Sequence, residues 1–320
     1  MINKAIRLDG LRERLDLRQT GARGRVTRIL IQVFLYALLI GAVYVFLFPF
    51  LYMLITSVKS SKDLSDVSVN WIPTSLKFSN FTIAARVLNY GTAFVNTLTM
   101  TLLSDLGHVL SCSMAGYAFA RYRFKGQNFW FVIVLLTIIV PVQNLIIPTY
   151  LMFAQVKLVN SFWPIVLPTF FGVGLRGGLL IFVFRQFFLG LPKEIEEAAK
   201  VDGCSFLRAF FTIVVPIARP TILVVCVLST VWHWNSSFEP SIFISKEALK
   251  PLSTRIDQIV AYVNNPPMEV FDGVSAVSEQ VINIAVLMAG CFLILAPLIV
   301  MFGIVQRWFM EGVERSGLVE

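Results

Sequence analysis

The sequence has 320 residues, of which 57% are hydrophobic and only 14% are charged, about half the charged fraction of a typical soluble domain. A mean hydropathy of +0.75 indicates more apolar side chain than one soluble core can bury, which argues against an ordinary soluble enzyme. The net charge of +8 is compatible with a nucleic-acid ligand or with a membrane surface, and the placement of the charges decides between them.

Six apolar segments are each long enough to cross a bilayer. Only helices and closed barrels span bilayers, and these segments are too long and too unalternating for barrel strands, so we predict an all-α membrane protein. The predicted spans are residues 29–56, 93–120, 128–147, 162–184, 218–244 and 281–305. The first lacks a cleavage pattern and is predicted to be a retained span. The predicted organisation is a basic N-terminal segment (1–28), a transmembrane domain (29–310) and a C-terminal tail (311–320).

The charges predict the orientation of the spans. With the N-terminus in the cytoplasm, 18 of the 27 basic residues and ten of the 19 acidic residues lie in inside segments or their flanks. The excess of basic over acidic residues in these inside segments equals the net charge of the whole chain. This is the positive-inside pattern of a membrane protein and not the pattern of a nucleic-acid surface. The basic loop at 121–125 is the strongest part of this count. Both termini are therefore predicted to be cytoplasmic, and no nucleic-acid partner is expected.

The segment 191–216, between the fourth and fifth spans, is the one cytoplasmic loop with a clear pattern. A proline and three glutamates favour a helix start near its beginning, and Gly203 suits a helix end in the left-handed conformation. Ile195, Ala198 and Ala199 are spaced to share one shallow face. The alternative is an amphipathic connector resting on lipid, but such helices usually carry Lys and Arg on their polar face, whereas this one is acidic.

A second apolar stripe, formed by Phe206, Phe210 and Ile213, follows the break at Gly203. The complete pattern is Glu-Ala-Ala at 197–199, three residues, Gly203, nine residues, Ile213, two residues and Pro216. It resembles the EAA loop of binding-protein-dependent ABC importer permeases, with one departure, a valine in place of leucine before the proline. Residues 30–320 as a whole are similar to the MalG-like permeases of the sugar-importing branch.

This resemblance implies a six-helix type I ABC importer permease in the bacterial inner membrane that translocates a carbohydrate, in particular an oligosaccharide. The implied partners are a MalF-like second permease, two cytoplasmic ABC ATPase subunits and an extracellular or periplasmic solute-binding protein, which the outer loop 245–280 contacts. The tail after Phe309 fits loosely the segment that reaches into the ATPase dimer in some relatives. The residues implied to couple to the ATPase are Glu197, Ala198, Ala199, Asp202, Gly203, Ile213 and Pro216.

We expect no catalytic residues in this chain, no metal site and no cofactor of its own. The sequence contains no GxxxxGK[ST] phosphate-binding motif, so ATP and Mg²⁺ are expected to be bound by the partner ATPases. Gly172 to Gly177 match GxGxxG literally, but that motif requires a preceding strand. Here the glycines lie in a predicted span and are interpreted as helix-packing positions.

Ionisable and polar residues within the spans are candidates for a substrate path. Arg176 pairs with a carboxylate across the bundle, Asp105 or Glu239, or lies near the outer membrane interface, or faces an anionic sugar. The two histidines, His108 and His233, each stand alone in a span and are interpreted as structural, with a metal or proton-relay role as the alternative. The predicted path residues, for which helix packing and an aromatic belt are the alternative, are Gln143, Asn144, Arg176, Trp234, Asn235 and Glu239.

Other functions remain open from the sequence. A secondary transporter would show inverted repeats and coupling charges near the membrane centre, and no such repeat is seen. A membrane hydrolase would need a nucleophile and a base, but neither HExxH nor GxSxG occurs. A membrane scaffold or receptor that binds an ATPase without conducting a solute is the third alternative.

Overall fold

The structure is a computed structural model that describes residues 22–66, 68–69, 71–264 and 276–315. The described residues form helices and loops without any strand, as the all-α prediction requires. The α-helices are α1 (Ala22–Ser57), α2 (Ser61–Ser65), α3 (Ser79–Val87), α4 (Tyr90–Arg121), α5 (Gln127–Ile139), α6 (Val142–Gln155), α7 (Trp163–Thr169), α8 (Gly177–Leu189), α9 (Glu194–Val201), α10 (Phe206–Ala209), α11 (Val215–Ile217), α12 (Arg219–Asn235), α13 (Phe238–Phe243), α14 (Ile256–Asn264) and α15 (Ala276–Arg315).

Three predicted spans lie within single long helices. Helices α1, α4 and α15 have 36, 32 and 40 residues, each longer than the roughly 20 residues that cross a bilayer. By length and composition, two segments of the described chain, Arg28–Ser57 and Ile284–Phe309, are able to cross a membrane, or four if each of two bent helix pairs counts as one span. The predicted number of six spans therefore remains a prediction.

The third predicted span is broken, so the expectation of one continuous helix over 128–147 is wrong. Helices α5 and α6 meet at an angle of 100°. The cause is Pro141, which has no backbone N–H to donate and disfavours the helical conformation at the residue before it. Accordingly, Val140 has the extended backbone angles φ −71° and ψ 119°.

The fourth and fifth predicted spans, 162–184 and 218–244, are also interrupted. Helix α7 ends at Thr169 and α8 begins at Gly177. In the loop between them, Gly172 and Gly174 have φ of +69° and +103°, values that glycine adopts without strain. The predicted position of these two glycines inside a helix is therefore wrong. In the fifth span α12 ends at Asn235, and α13 follows after a two-residue break.

The core is built around α4, which packs most extensively against α8 and α12. Small residues permit the α4–α8 contact: a Cβ placed on Gly116 would lie 2.6 Å from the Phe184 Cβ and 2.9 Å from the backbone nitrogen of Arg185. At the other end of α4, Trp234 joins α12 to α15, because its indole Nε1 donates a hydrogen bond to the Ile294 carbonyl at 3.0 Å. These contacts hold α4, α8, α12 and α15 together in one bundle.

Candidate functional site

The segment 191–216 is here called the coupling loop, after the role that its resemblance implies. It contains α9, a turn, α10, a π-helical turn over Phe210–Val214 and α11. Gly203 has φ +75°, and the Cys204 backbone N–H donates to the Ala199 carbonyl at 2.9 Å. A Cβ on Gly203 would meet no atom within 4 Å, so backbone conformation, and not space, favours glycine here.

The two faces of α9 differ from the predicted arrangement. Ala199 is buried and Ile195 half-buried, four residues apart on the inner side of the helix. Ala198, which the spacing placed on the same face, is exposed, as are Glu197 and Asp202. The buried face is thus narrower than predicted, and the outward surface combines two carboxylates with a small side chain.

The second half of the coupling loop is fixed to the ends of α4 and α8 by aromatic rings. Phe206 stacks on Tyr117, with ring centroids 5.6 Å apart, and meets Tyr122 edge to face at 5.1 Å. Tyr117 also contacts Phe188 of α8 at 5.4 Å and Phe210 at 5.3 Å. The loop is therefore packed directly against α4 and α8. Sequence reasoning found the stripe of Phe206 and Phe210 but missed its partners.

Further contacts tie both ends of the coupling loop to the helix bundle. The Arg121 guanidinium, at the end of α4, donates to the Leu191 carbonyl at 2.6 Å. At the other end, Ile213 is half-buried and Pro216 is exposed, where the segment Phe206–Ile217 meets α12 at an angle of 79°. The loop is therefore held between α4 at its start and α12 at its end.

Most of the predicted path residues have exposed or partly exposed side chains. Gln143 and Asn144 are exposed in the first turn of α6, directly after the break at Pro141. Asn235 is exposed, and its amide donates to a carbonyl of its own helix. Glu239 is half-buried and accepts a hydrogen bond from the Ser236 hydroxyl at 3.1 Å.

Trp234 and Arg176 differ most from what the sequence suggested for the path. Trp234 is 3% exposed and bound to α15, which favours the helix-packing alternative. Arg176 is exposed, has φ +58° and places its guanidinium carbon 4.8 Å above the centre of the Trp232 ring. No carboxylate of the described residues forms an ion pair with it, so the pairing with Asp105 is not seen. Asp105 instead accepts a hydrogen bond from the Thr230 hydroxyl at 2.7 Å.

The two histidines are neighbours in space, contrary to the expectation that each stands alone. The rings of His108 and His233 have centroids 5.2 Å apart. The Ser229 hydroxyl lies between them, 3.0 Å from the His108 Nδ1 and 3.3 Å from the His233 Nδ1. This group joins α4 to α12, in line with the structural interpretation. Among the described residues, no three His, Cys, Asp or Glu side chains lie together in a group that could hold a metal ion.

The loop after α13, predicted to be the outer loop between the fifth and sixth spans, is described as far as residue 264 and is stabilised by charged groups. Glu247 forms a 2.8 Å ion pair with Lys250 and a 3.0 Å ion pair with the buried Arg255. Hydrogen bonds from Lys250 and Gln258, with the charges of Lys250 and Arg255, hold the pKa of Glu247 below its ordinary value. Asn96 of α4 donates to the carbonyls of residues 248 and 250. The loop is thus fixed to the bundle.

Permeases of several bacterial transport systems resemble this chain over most of its length. The arabinooligosaccharides transport system permease AraQ of Halalkalibacterium halodurans is 27% identical over 278 residues, which cover 86% of this chain and 92% of that protein. The melibiose/raffinose/stachyose import permease MelC of Bacillus subtilis is 29% identical over 274 residues, covering 85% and 91%. The sn-glycerol-3-phosphate permease UgpE of Pectobacterium atrosepticum is 25% identical over 292 residues, covering 89% and 97%.

A solved structure shares the fold. A chain of a bacterial ABC transporter involved in the import of the acidic polysaccharide alginate superposes with a TM-score of 0.71 over 90% of this chain and 98% of that chain, at 21% identity. The family model of the binding-protein-dependent transport system inner membrane component matches residues 107–315. This match includes the whole coupling loop and covers more than half of the chain. The chain therefore belongs to this family of transport permeases, which are not enzymes.

Proposed function

We propose that the chain is one of two homologous permease subunits of an ABC importer that carries a carbohydrate across the inner membrane. The main support for this proposal is the coupling loop, which has an exposed acidic surface on one side and aromatic contacts to α4 and α8 on the other. Two of the relatives named above are oligosaccharide permeases. They support a carbohydrate, in particular an oligosaccharide, as the solute.

The proposed mechanism is mechanical coupling. The exposed side of α9, with Glu197, Ala198 and Asp202, docks on a cytoplasmic ATPase subunit that binds and hydrolyses ATP with Mg²⁺. The ATPase shifts the permease between inward-open and outward-open states only if it binds the loop differently in the two states. Because Phe206 stacks on Tyr117, a shift of the docked loop moves the inner end of α4.

The proposed topology has six spans with both termini in the cytoplasm. Two long helices, α1 and α15, and two bent helix pairs are long and apolar enough to form four of these spans. Helix α4 forms the second span, and α7 together with α8 forms the fourth. The outer loop beginning at Ser245 then lies on the side from which the solute-binding protein delivers the solute. Its contacts with Asn96 give that protein a surface fixed to the bundle.

Purification of the affinity-tagged chain from its host membranes tests this proposal. We expect one copy of a second permease and two copies of an ABC ATPase per copy of this chain, quantified by mass spectrometry. We also expect ATP-dependent uptake of a labelled oligosaccharide by proteoliposomes that contain the complex and its binding protein, measured with the neutral raffinose and arabinotriose and with an acidic uronic-acid oligosaccharide. Recovery of the chain without an ATPase, with uptake driven by an ion gradient alone, would support a secondary transporter. Recovery with the ATPase but uptake of no carbohydrate would favour the scaffold alternative.

A further inference from the structure

In the proposed six-span topology, Arg176 lies near the centre of the membrane. A Cβ on Gly107 of α4 would be 2.1 Å from the Thr169 Oγ1 and 2.9 Å from the Phe170 ring, so the break before α8 lies beside Gly107. Gly107 is the 18th of the 32 residues of α4, about 2 Å from the midpoint of that helix. Trp232 is at the same level, because Ser229, one turn before it, contacts His108.

An exposed guanidinium at this depth does not face hydrocarbon. Burying a charged side chain in the bilayer centre is costly, and such residues face a water-filled cavity or a protein partner. Trp232 already stabilises the cation through its ring face, at 4.8 Å from the guanidinium carbon. A permanent carboxylate partner is therefore not required, and the donors at the guanidinium edge remain available, since no described residue forms an ion pair with them.

We propose that Arg176 and Trp232 form a recognition subsite in the translocation path for an anionic oxygen group of the solute, a carboxylate or a phosphate. A guanidinium binds two oxygens of such a group through parallel N–H donors, and the indole holds it in one orientation. This inference rests on the proposed function and narrows the solute to an acidic carbohydrate. A carboxylate of the second permease is the competing partner that the test below separates.

The test measures the electrostatic potential at the subsite and needs no knowledge of the solute. Asn235 is exposed and lies three residues after Trp232, on the same side of α12. We replace it by cysteine in a background in which the four native cysteines are alanine. In membrane vesicles that contain the assembled complex, Asn235→Cys is then modified with two reagents of opposite charge. These are the cationic methanethiosulfonate ethyltrimethylammonium and the anionic methanethiosulfonate ethylsulfonate.

We expect both reagents to react, with the anionic one favoured by Arg176. A unit charge about 10 Å away in water changes each rate about twofold in opposite directions, so Arg176→Gln lowers the ratio of anionic to cationic rates at least about fourfold. Arg176→Lys keeps most of the ratio because the charge remains. Trp232→Leu lowers it less than Arg176→Gln does, and an unchanged ratio would remove Trp232 from the subsite. Thr82→Cys, on the exposed side of α3, is the distant control whose ratio stays constant.

Two results would overturn the inference. An Asn235→Cys variant that reacts with neither reagent would show that this surface faces lipid. An anionic-to-cationic rate ratio at Asn235→Cys no higher than that of a free thiol in solution, which Arg176→Gln then lowers below that of the free thiol, would show that a carboxylate of the second permease already neutralises the guanidinium. Both results leave the recovery of the ATPase with the chain unaffected, so they are distinguishable from a failure of the proposed function.

Discussion

Gly203 offers a direct test of how the coupling loop works. Its φ of +75° lies in the left-handed region, where a residue with a Cβ costs about 1–2 kcal/mol. Because a Cβ there would meet no atom within 4 Å, Gly203→Ala carries this conformational cost alone. Gly203→Asn costs less, since asparagine tolerates the left-handed region better than alanine does. Gly203→Pro cannot form the turn, because proline fixes φ near −65°.

The assay is binding of the purified ATPase subunit to the permease complex in detergent. A cost of 1–2 kcal/mol lowers the equilibrium constant for forming the docking-competent loop about 5- to 30-fold, and Kd rises by up to that factor. We expect Kd to increase in the order wild type, Gly203→Asn, Gly203→Ala, Gly203→Pro. Gly190→Ala is the matched control, because Gly190 has φ −77° and its nearest contact lies at 3.4 Å. Wild-type affinity in Gly203→Pro, or an equal loss in Gly190→Ala, would refute the reasoning.

Three further predictions concern stability. Gly116→Ala pushes α8 away from α4 and lowers the free energy of unfolding by about 1–3 kcal/mol. Gly303→Ala, with no atom within 4 Å of the added Cβ, raises the free energy of unfolding by about 0.5–1 kcal/mol. Equal melting temperatures of the two variants in detergent would contradict this prediction. Lys250 holds the pKa of Glu247 below its ordinary 4.5, so the stabilisation of the outer loop is present above that pH and lost as pH falls through the folded-state pKa. Limited proteolysis of that loop is expected to accelerate as the pH falls below the ordinary 4.5 in the wild type and already at pH 7 in Glu247→Gln. Trp234→Phe removes the indole hydrogen bond to α15 and costs about 1 kcal/mol, seen as a lower melting temperature.

The sequence was sufficient for features that depend on nearby residues. Hydropathy alone located the long helices α1, α4 and α15, and the glycine at 203 predicted the turn after α9 because a helix end requires only a local left-handed residue. The breaks in the other spans have local causes too, at Pro141 and at the glycines after Thr169. A count of apolar residues does not register them, because proline and glycine interrupt a helix without making the segment polar.

The features that the sequence could not supply depend on residues far apart in the chain. His108 and His233 are 125 positions apart, and only the packing of α4 against α12 brings their rings together. The packing of α12 against α8 places Trp232 beneath Arg176. Trp234, two residues further along, points instead to the core and α15. Neighbouring aromatic residues on one helix thus face different surroundings, which no local pattern distinguishes.

Photo-crosslinking from Ala198 in intact cells tests the central claim most directly. Ala198 lies on the exposed side of α9, and Thr82 is exposed on α3 near the opposite end of the bundle. With a photo-reactive amino acid at position 198, we predict an adduct between the permease and an ABC ATPase, and with the same amino acid at position 82 no such adduct. Crosslinks from position 198 only to lipid, or an ATPase adduct from position 82 alone, would contradict the account.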